Sequence, residues 1–214
     1  MYVVVNAATS ADGKLSTRHR EQVALSGPED FARVDEVRAE SDAVAVGVGT
    51  VLADDPHLTL DGDGGDHPAR VVADSRARTP LDARVLDDAA PTYLLAAAAA
   101  PAERLDALRE RGAEVVRAGD ERVDLAAALA ALESRGVRRL MVEGGGELLF
   151  SLFESGLVDE LRLYVASTVV GGREAPTLAD GEGFVDPERF VDLDLREVER
   201  VDDGVVLRYD VATG

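Results

Sequence analysis

The chain has no cysteine, no tryptophan and a single lysine, Lys14, in 214 residues. Without cysteine there is no disulfide framework, no thiolate nucleophile and no Cys-based zinc or iron–sulfur centre. The three histidines, His19, His57 and His67, do not pair at ligand spacing, so no metal site is expected. Redox chemistry would therefore use a carried-in cofactor. No apolar run approaches the roughly 20 residues that span a bilayer. The opening MYVVVNAATS lacks the basic and long apolar regions of an export signal, so a cytoplasmic location is expected. Basic charge is also scarce: 23 Lys and Arg face 42 Asp and Glu, for a net charge of -19. Such a surface repels phosphate backbones and anionic lipid, which disfavours nucleic-acid or membrane partners.

The acids are dispersed among Val, Leu and Ala that can pack, as in a folded protein with a solvated acidic shell rather than a disordered tail. Two origins fit this composition. One is a salt-saturated cytoplasm, where charge repulsion is screened to within a few ångströms; the other is GC-rich codon bias, which favours Arg, Ala, Asp and Gly. The length suits one domain, residues 1–214. Strand and helix patterns alternate, the signature of an α/β sheet. Strands are predicted at Tyr2–Ala8, Ala43–Val48, Arg70–Ala73, Thr92–Ala96, Glu114–Val116, Arg139–Glu143 and Leu161–Ala166. Helices are predicted at Pro28–Ala39, Ala102–Arg111, Leu125–Ser134 and Glu147–Glu154. The first of these is expected to be capped by Ser26 and to bury Phe31, Val34 and Val37. Leu195–Val211 reads as a hairpin turning at Asp203-Gly204, which makes the sheet mixed rather than parallel throughout.

Four segments have the composition of binding loops. In MVEGGGELLFSLF, Glu143 ends a strand and Gly144, Gly145 and Gly146 precede a helix. Absent side chains let a ligand reach the backbone, and the helix N-terminus favours phosphate, so a diphosphate-bearing cofactor fits. A tight strand-to-helix turn is the plainer use of those glycines. The run is neither a Walker A nor a dinucleotide fingerprint. In DAVAVGVGTVLADDPHLT, Thr50 and Asp54 follow a buried strand, where ligands of open α/β sheets bind; Asp-Asp-Pro is equally a helix stop. In SADGKLS, Lys14 either holds a phosphate or is simply solvated. In ADSRARTP, Ser75, Arg76 and Arg78 could grip a 2′-phosphate, because guanidinium binds phosphate bidentately.

Taken in order, S-A-D-G-K-L-S, V-R-A-E-S-D-A-V-A-V-G-V-G-T-V-L-A-D-D-P-H-L-T, V-A-D-S-R-A-R-T-P, V-E-G-G-G-E-L and G-L-V-D-E-L-R-L-Y-V-A resemble the riboflavin-biosynthesis reductases. These are the archaeal and fungal reductases of a diaminopyrimidine ribosylamino phosphate, and the reductase half of the bacterial bifunctional enzyme. The resemblance runs from Asn6 to about Leu178. It implies a dihydrofolate-reductase-like α/β fold: a mixed sheet, mostly parallel with a C-terminal antiparallel hairpin, helices on both faces. It further implies a homodimer with NADPH across the carboxyl ends of the strands.

On the same resemblance, Thr50, Asp54, Ser75 and the loop Gly145, Gly146, Glu147, Leu148 and Leu149 match the family's cofactor contacts. Gln22, Arg38, Leu58 and Glu143 match substrate positions, with Arg38 as phosphate partner. One departure is Asp61, where bacterial relatives carry an Arg that reaches the substrate phosphate. Arg18, Arg20 or Lys14 takes over that contact, or the correspondence slips at DGDGGD. The zinc-binding deaminase of the bifunctional enzymes has no counterpart in this chain, so the implied substrate is the diamino compound, 2,5-diamino-6-ribosylamino-4(3H)-pyrimidinone 5′-phosphate. Reduction of the deaminated uracil is the alternative. A dihydrofolate reductase is disfavoured by V-R-A-E-S-D-A-V, and a non-catalytic acidic binding protein has no need of three glycine-bearing strand ends.

Overall fold

The computed structural model describes residues 1–21, 23–61 and 67–212. Gln22 and all of the DGDGGD stretch after Asp61 lie outside the described residues. The architecture is mixed α/β, with nine strands and five α-helices among the described residues. The chain divides into two compact units: Met1 with Asp35–Met141, and Tyr2–Val34 with the residues from Val142 onward. Helix α1 (Pro28–Ala39) and strand β6 (Arg139–Gly144) each begin in one unit and end in the other.

In the first unit, β2 (Ala43–Gly47), β3 (Ala69–Ala73), β4 (Thr92–Ala96) and β5 (Ala113–Arg117) run parallel, each hydrogen-bonded to the next. All five residues of β2 are buried, which explains its unbroken apolar run: a parallel strand covered on both faces has no solvent side to alternate with. Helix α2 (Val48–Asp54) follows at once, so Val48, expected at the end of the strand, is the first residue of a helix. Its β-branched side chain is buried either way, and periodicity cannot tell the end of a buried strand from the start of a buried helix. Helices α3 (Ala102–Glu110) and α4 (Leu125–Glu133) pack on β5 through Leu105, Leu108, Leu129 and Leu132. Asp124 caps α4 by accepting the Ala127 amide at 3.0 Å. Arg70 of β3 is fully buried. Its guanidinium donates to the Asp87 carboxylate at 2.6 Å and to the carbonyls of Arg84, Asp87 and Ala90, closing the loop into β4.

In the second unit, β1 (Tyr2–Ser10) pairs parallel with β7 (Glu160–Ala166). β7 pairs antiparallel with β9 (Gly204–Val211), which turns back on β8 (Leu193–Val201). Helix α5 (Gly146–Glu154) contributes Leu149 and Leu152 to this unit's core. The hairpin lies one residue earlier than the Asp-Gly signal suggests: Val201 pairs with Gly204, and Asp202-Asp203 form the turn, Asp202 at φ 50°. Gly204 has a packing role instead, because a Cβ there would stand 2.6 Å from the Tyr164 ring and hydroxyl. Burial and the carboxylate of Asp203, to which the hydroxyl donates at 3.1 Å, push the Tyr164 phenol up to about 12.

Asp202 also corrects the expected cap of α1. The amides of Gly27, Glu29 and Asp30 donate to its carboxylate at 3.1, 3.2 and 3.0 Å, so the cap comes from a distant hairpin rather than from Ser26. Phe31, expected inside, is 52% exposed. Val37 is buried as expected, but in the first turn the buried residue is Asp30, which pairs with Arg33, and Arg33 in turn donates to Asn6 at 3.0 Å. Asp202→Ala removes the acceptor from three helix-start amides and is expected to cost about 2 kcal/mol. Thermal unfolding of parent and variant checks this; a loss near zero would show that water replaces the carboxylate.

Candidate functional site

Each candidate segment follows the carboxyl end of a strand, and β1, β2 and β3 among these strands pair in parallel; ligands of open α/β sheets bind at such strand ends. In the first unit Gly47 lies opposite Ala73, so the residues after β2 and those after β3 leave the sheet side by side. After β2, Thr50 is half-buried on α2, and burial raises the Asp54 carboxyl above its ordinary value. Asp55 ends the helix at φ 40°. The chain then reaches Leu58, buried and at φ 55°. Arg38, in the last turn of α1, donates to the Thr59 carbonyl at 3.2 Å and so holds the Leu58 loop. Asp61, at the position of the family arginine, is exposed, and its amide donates to Asp35 at 3.1 Å.

After β3, the ADSRARTP segment is a stiff loop built around Asp74, which is fully buried. Its Oδ2 accepts the Thr79 amide at 2.7 Å and hydroxyl at 2.8 Å. Arg104 of α3 donates to the carbonyls of Ala77 and Thr79 at 3.1 and 2.7 Å. The Ser75 hydroxyl accepts the Val123 amide at 3.0 Å, which leaves its own proton to donate. Arg76 stands exposed on this loop and makes no contact with an acid among the described residues. In a chain of net charge -19, an arginine without a carboxylate on a rigid loop suits an anion. Arg78 lies 4.0 Å from Asp74 and is drawn towards it instead.

In the second unit, β1 leads into SADGKL. Asp12 accepts the Ser10 hydroxyl at 2.6 Å and the amides of Val170 and Gly171 at 2.9 and 2.8 Å, bonds that lower its carboxyl to about 2. Lys14 is not free in solvent: its ammonium donates to the Ala175 carbonyl at 3.3 Å. Arg18 donates to the imidazole of His19 at 3.4 Å, and Arg20 approaches Asp180 at 3.9 Å.

Strand β6 ends with Glu143, half-buried, and Gly144. Gly145 then takes φ 98° and ψ 90°, a backbone conformation that side chains disfavour, and α5 begins at Gly146. The first-turn amides of a helix have no acceptor within the helix itself and point out of its N-terminal end. Leu149 differs from its neighbours: its side chain is fully buried and its amide donates to the Gly145 carbonyl at 2.9 Å. Gly146 is required by its own chain, since a Cβ there would meet the Thr177 carbonyl at 2.9 Å and Asp180 at 3.0 Å. The three-glycine run therefore divides its work: Gly145 for the positive φ and Gly146 for a close approach.

The RibD C-terminal domain model matches residues 1–207. The chain belongs to that family. A Methanothermobacter thermautotrophicus relative named 2,5-diamino-6-ribosylamino-4(3H)-pyrimidinone 5′-phosphate reductase is 47% identical over 213 residues, 98% of each chain. An Archaeoglobus fulgidus relative of the same name is also 47% identical, over 95% of this chain and 94% of its own. Among solved structures, Acinetobacter baumannii RibD superposes with a TM-score of 0.78 at 26% identity; it covers 99% of this chain, which spans only 58% of that longer one. The RibD C-terminal domain fold accounts for the mixed sheet and antiparallel C-terminal hairpin, and a reductase family of this kind implies a nicotinamide cofactor.

Asp12, Thr177, Asp180 and Asp202 carry much of the local geometry but were not singled out by sequence reasoning. Each acts on residues far away in sequence, a relation that no local pattern encodes. The one available signal was the density of turn residues in G-G-R-E-A-P-T-L-A-D-G-E-G.

Proposed function

We propose that this RibD C-terminal domain protein reduces the ribosylamino group of 2,5-diamino-6-ribosylamino-4(3H)-pyrimidinone 5′-phosphate to ribitylamino, using NADPH. The observation that carries the reading is 47% identity over nearly the full length of relatives bearing that substrate in their name. Residues 1–214 act as one reductase domain in this reading.

The residues present suit the cofactor. Gly145–Glu147 offer a side-chain-free turn and helix-start amides to the diphosphate, and Ser75 and Arg76 offer a hydroxyl proton and a guanidinium to the 2′-phosphate. Thr50 and Asp54 border the nicotinamide side. When bound, the reduced nicotinamide supplies the hydride for C1′ of the ring-opened substrate. The chain's own task is orientation: Glu143 holds the pyrimidine, Arg38 with Lys14 holds the ribose phosphate, and Gln22 and Leu58 are further substrate positions.

Mixing the substrate with protein and NADPH, and following the nicotinamide absorbance, tests the activity. Deuterium placed at nicotinamide C4 is expected at C1′ of the ribityl product. A product whose C1′ hydrogen comes from solvent would sink the mechanism, and activity only on the deaminated uracil would change the substrate. Arg76→Ala is expected to weaken NADPH about 10- to 100-fold, with little effect on NADH, since only NADPH carries the extra phosphate. Equal losses in a paired titration would move the 2′-phosphate site elsewhere.

Two properties of the whole molecule belong to the same reading. Leu193, Leu195 and Val198 lie exposed along β8, an edge strand, as a homodimer surface would. The dispersed charge of -19 suits a saline cytoplasm. The melting temperature is expected to rise with KCl as the Debye length falls from about 10 Å at 0.1 M to about 3 Å at 1 M. A melting curve indifferent to salt would remove the halophilic reading alone.

A further inference from the structure

The segment from Ala175 to Asp180 runs past both candidate segments of the second unit. On one side it is stitched to SADGKL: the Leu15 amide donates to the Pro176 carbonyl at 2.9 Å, Lys14 and Thr177 form an antiparallel bridge, and the Lys14 ammonium reaches the Ala175 carbonyl. On the other it is pressed against the start of α5, where the Asp180 amide donates to the Gly146 carbonyl at 3.1 Å. The fit there is close enough that only glycine is accommodated at position 146. Asp180 holds the segment in this shape. Its Oδ1 accepts both the amide and the hydroxyl of Thr177, at 2.9 and 2.7 Å. Further on, a Cβ at Gly181 would meet the Phe150 ring at 3.1 Å, and Phe184 packs against Phe150 with centroids 5.1 Å apart and the rings tilted by 55°.

We propose that Ala175–Asp180 is a positioning strap for the glycine turn, and that Asp180 is the positioning residue that keeps Gly145–Glu147 in the shape that receives the cofactor diphosphate. The inference rests on the reading of that turn as the diphosphate site. A carboxylate beside a phosphate site would ordinarily repel the ligand. Here Oδ1 accepts two Thr177 donors and Oδ2 faces Arg20 at 3.9 Å, so part of the carboxylate's charge is already engaged. Gly145 at φ 98° has no side chain of its own to restrict it, so the order of the turn must come from a neighbour.

The test compares Asp180→Ala, Asp180→Asn and Thr177→Val with the parent by NADPH titration and steady-state kinetics, with Gly145→Val as control. Asp180→Ala is expected to raise the NADPH dissociation constant and KM about 10-fold while kcat at saturating NADPH stays within about twofold. Asp180→Asn keeps an oxygen for Thr177 and is expected to recover most of the affinity, whereas Thr177→Val, which loses only the hydroxyl bond, should lie between. The proposal is overturned by parent-like or tighter NADPH binding in Asp180→Ala. It is also overturned by a loss that falls on kcat and KM alike and that asparagine does not rescue, as a merely structural role would give. If Asp180→Ala fails to fold, the other two variants decide by the same criteria. Parent-like binding in Gly145→Val would overturn the diphosphate reading and this inference together. A defect in Gly145→Val with none in Asp180→Ala would overturn the inference alone.

Discussion

Gly145→Val is expected to weaken NADPH about 100-fold or more. Gly145 sits at φ 98° and ψ 90°, where a β-branched residue has no comfortable conformation, so the variant must either hold strain of about 1–3 kcal/mol or move the turn. Either outcome spoils the start of α5, and the added side chain also enters the space proposed for the diphosphate. Both effects act in the same direction, which is why this is the largest effect expected on cofactor binding. Fluorescence titration with NADPH measures it, and circular dichroism shows whether the fold is retained. A folded variant that binds NADPH as the parent does would remove the glycine turn from the site.

Glu143→Ala and Arg38→Ala are expected to lower kcat/KM for the pyrimidine substrate about 100-fold while leaving NADPH affinity within about twofold, because misplacing a substrate by about 1 Å costs that much. The two variants differ in what they disturb. Arg38 holds the Thr59 carbonyl as well as its proposed phosphate, so its removal also loosens the loop that carries Leu58. Glu143 ends β6 on a rigid strand, which makes Glu143→Gln the cleaner probe of pyrimidine recognition. Steady-state kinetics in substrate together with NADPH titration separates the two ligands. Substrate kinetics unchanged in Glu143→Gln and Glu143→Ala would take this residue out of the site.

The regular elements were legible because their causes are local. Thr92–Ala96 and Pro28–Ala39 form as their patterns predict, and the strand-ending loops carry the glycine and polar residues that such positions require. What the patterns mistook was a matter of partners. Val48 reads as strand but starts a helix, because its burial does not depend on which element holds it. Phe31 satisfies a helical stripe yet faces solvent, while Asp30 is buried with Arg33.

By itself the sequence determined the alternation of elements, the acidic composition and, through five segments in order, the family. All of these follow from residue type and spacing along the chain. Only the tertiary structure decided that Asp202 caps α1 and that Lys14 bonds a backbone carbonyl. It also showed that Gly146 is glycine because Thr177 and Asp180 press on it. A carboxylate accepts any amide brought within about 3 Å, whatever its distance along the chain, and which amides arrive there is settled by how the strands and loops pack.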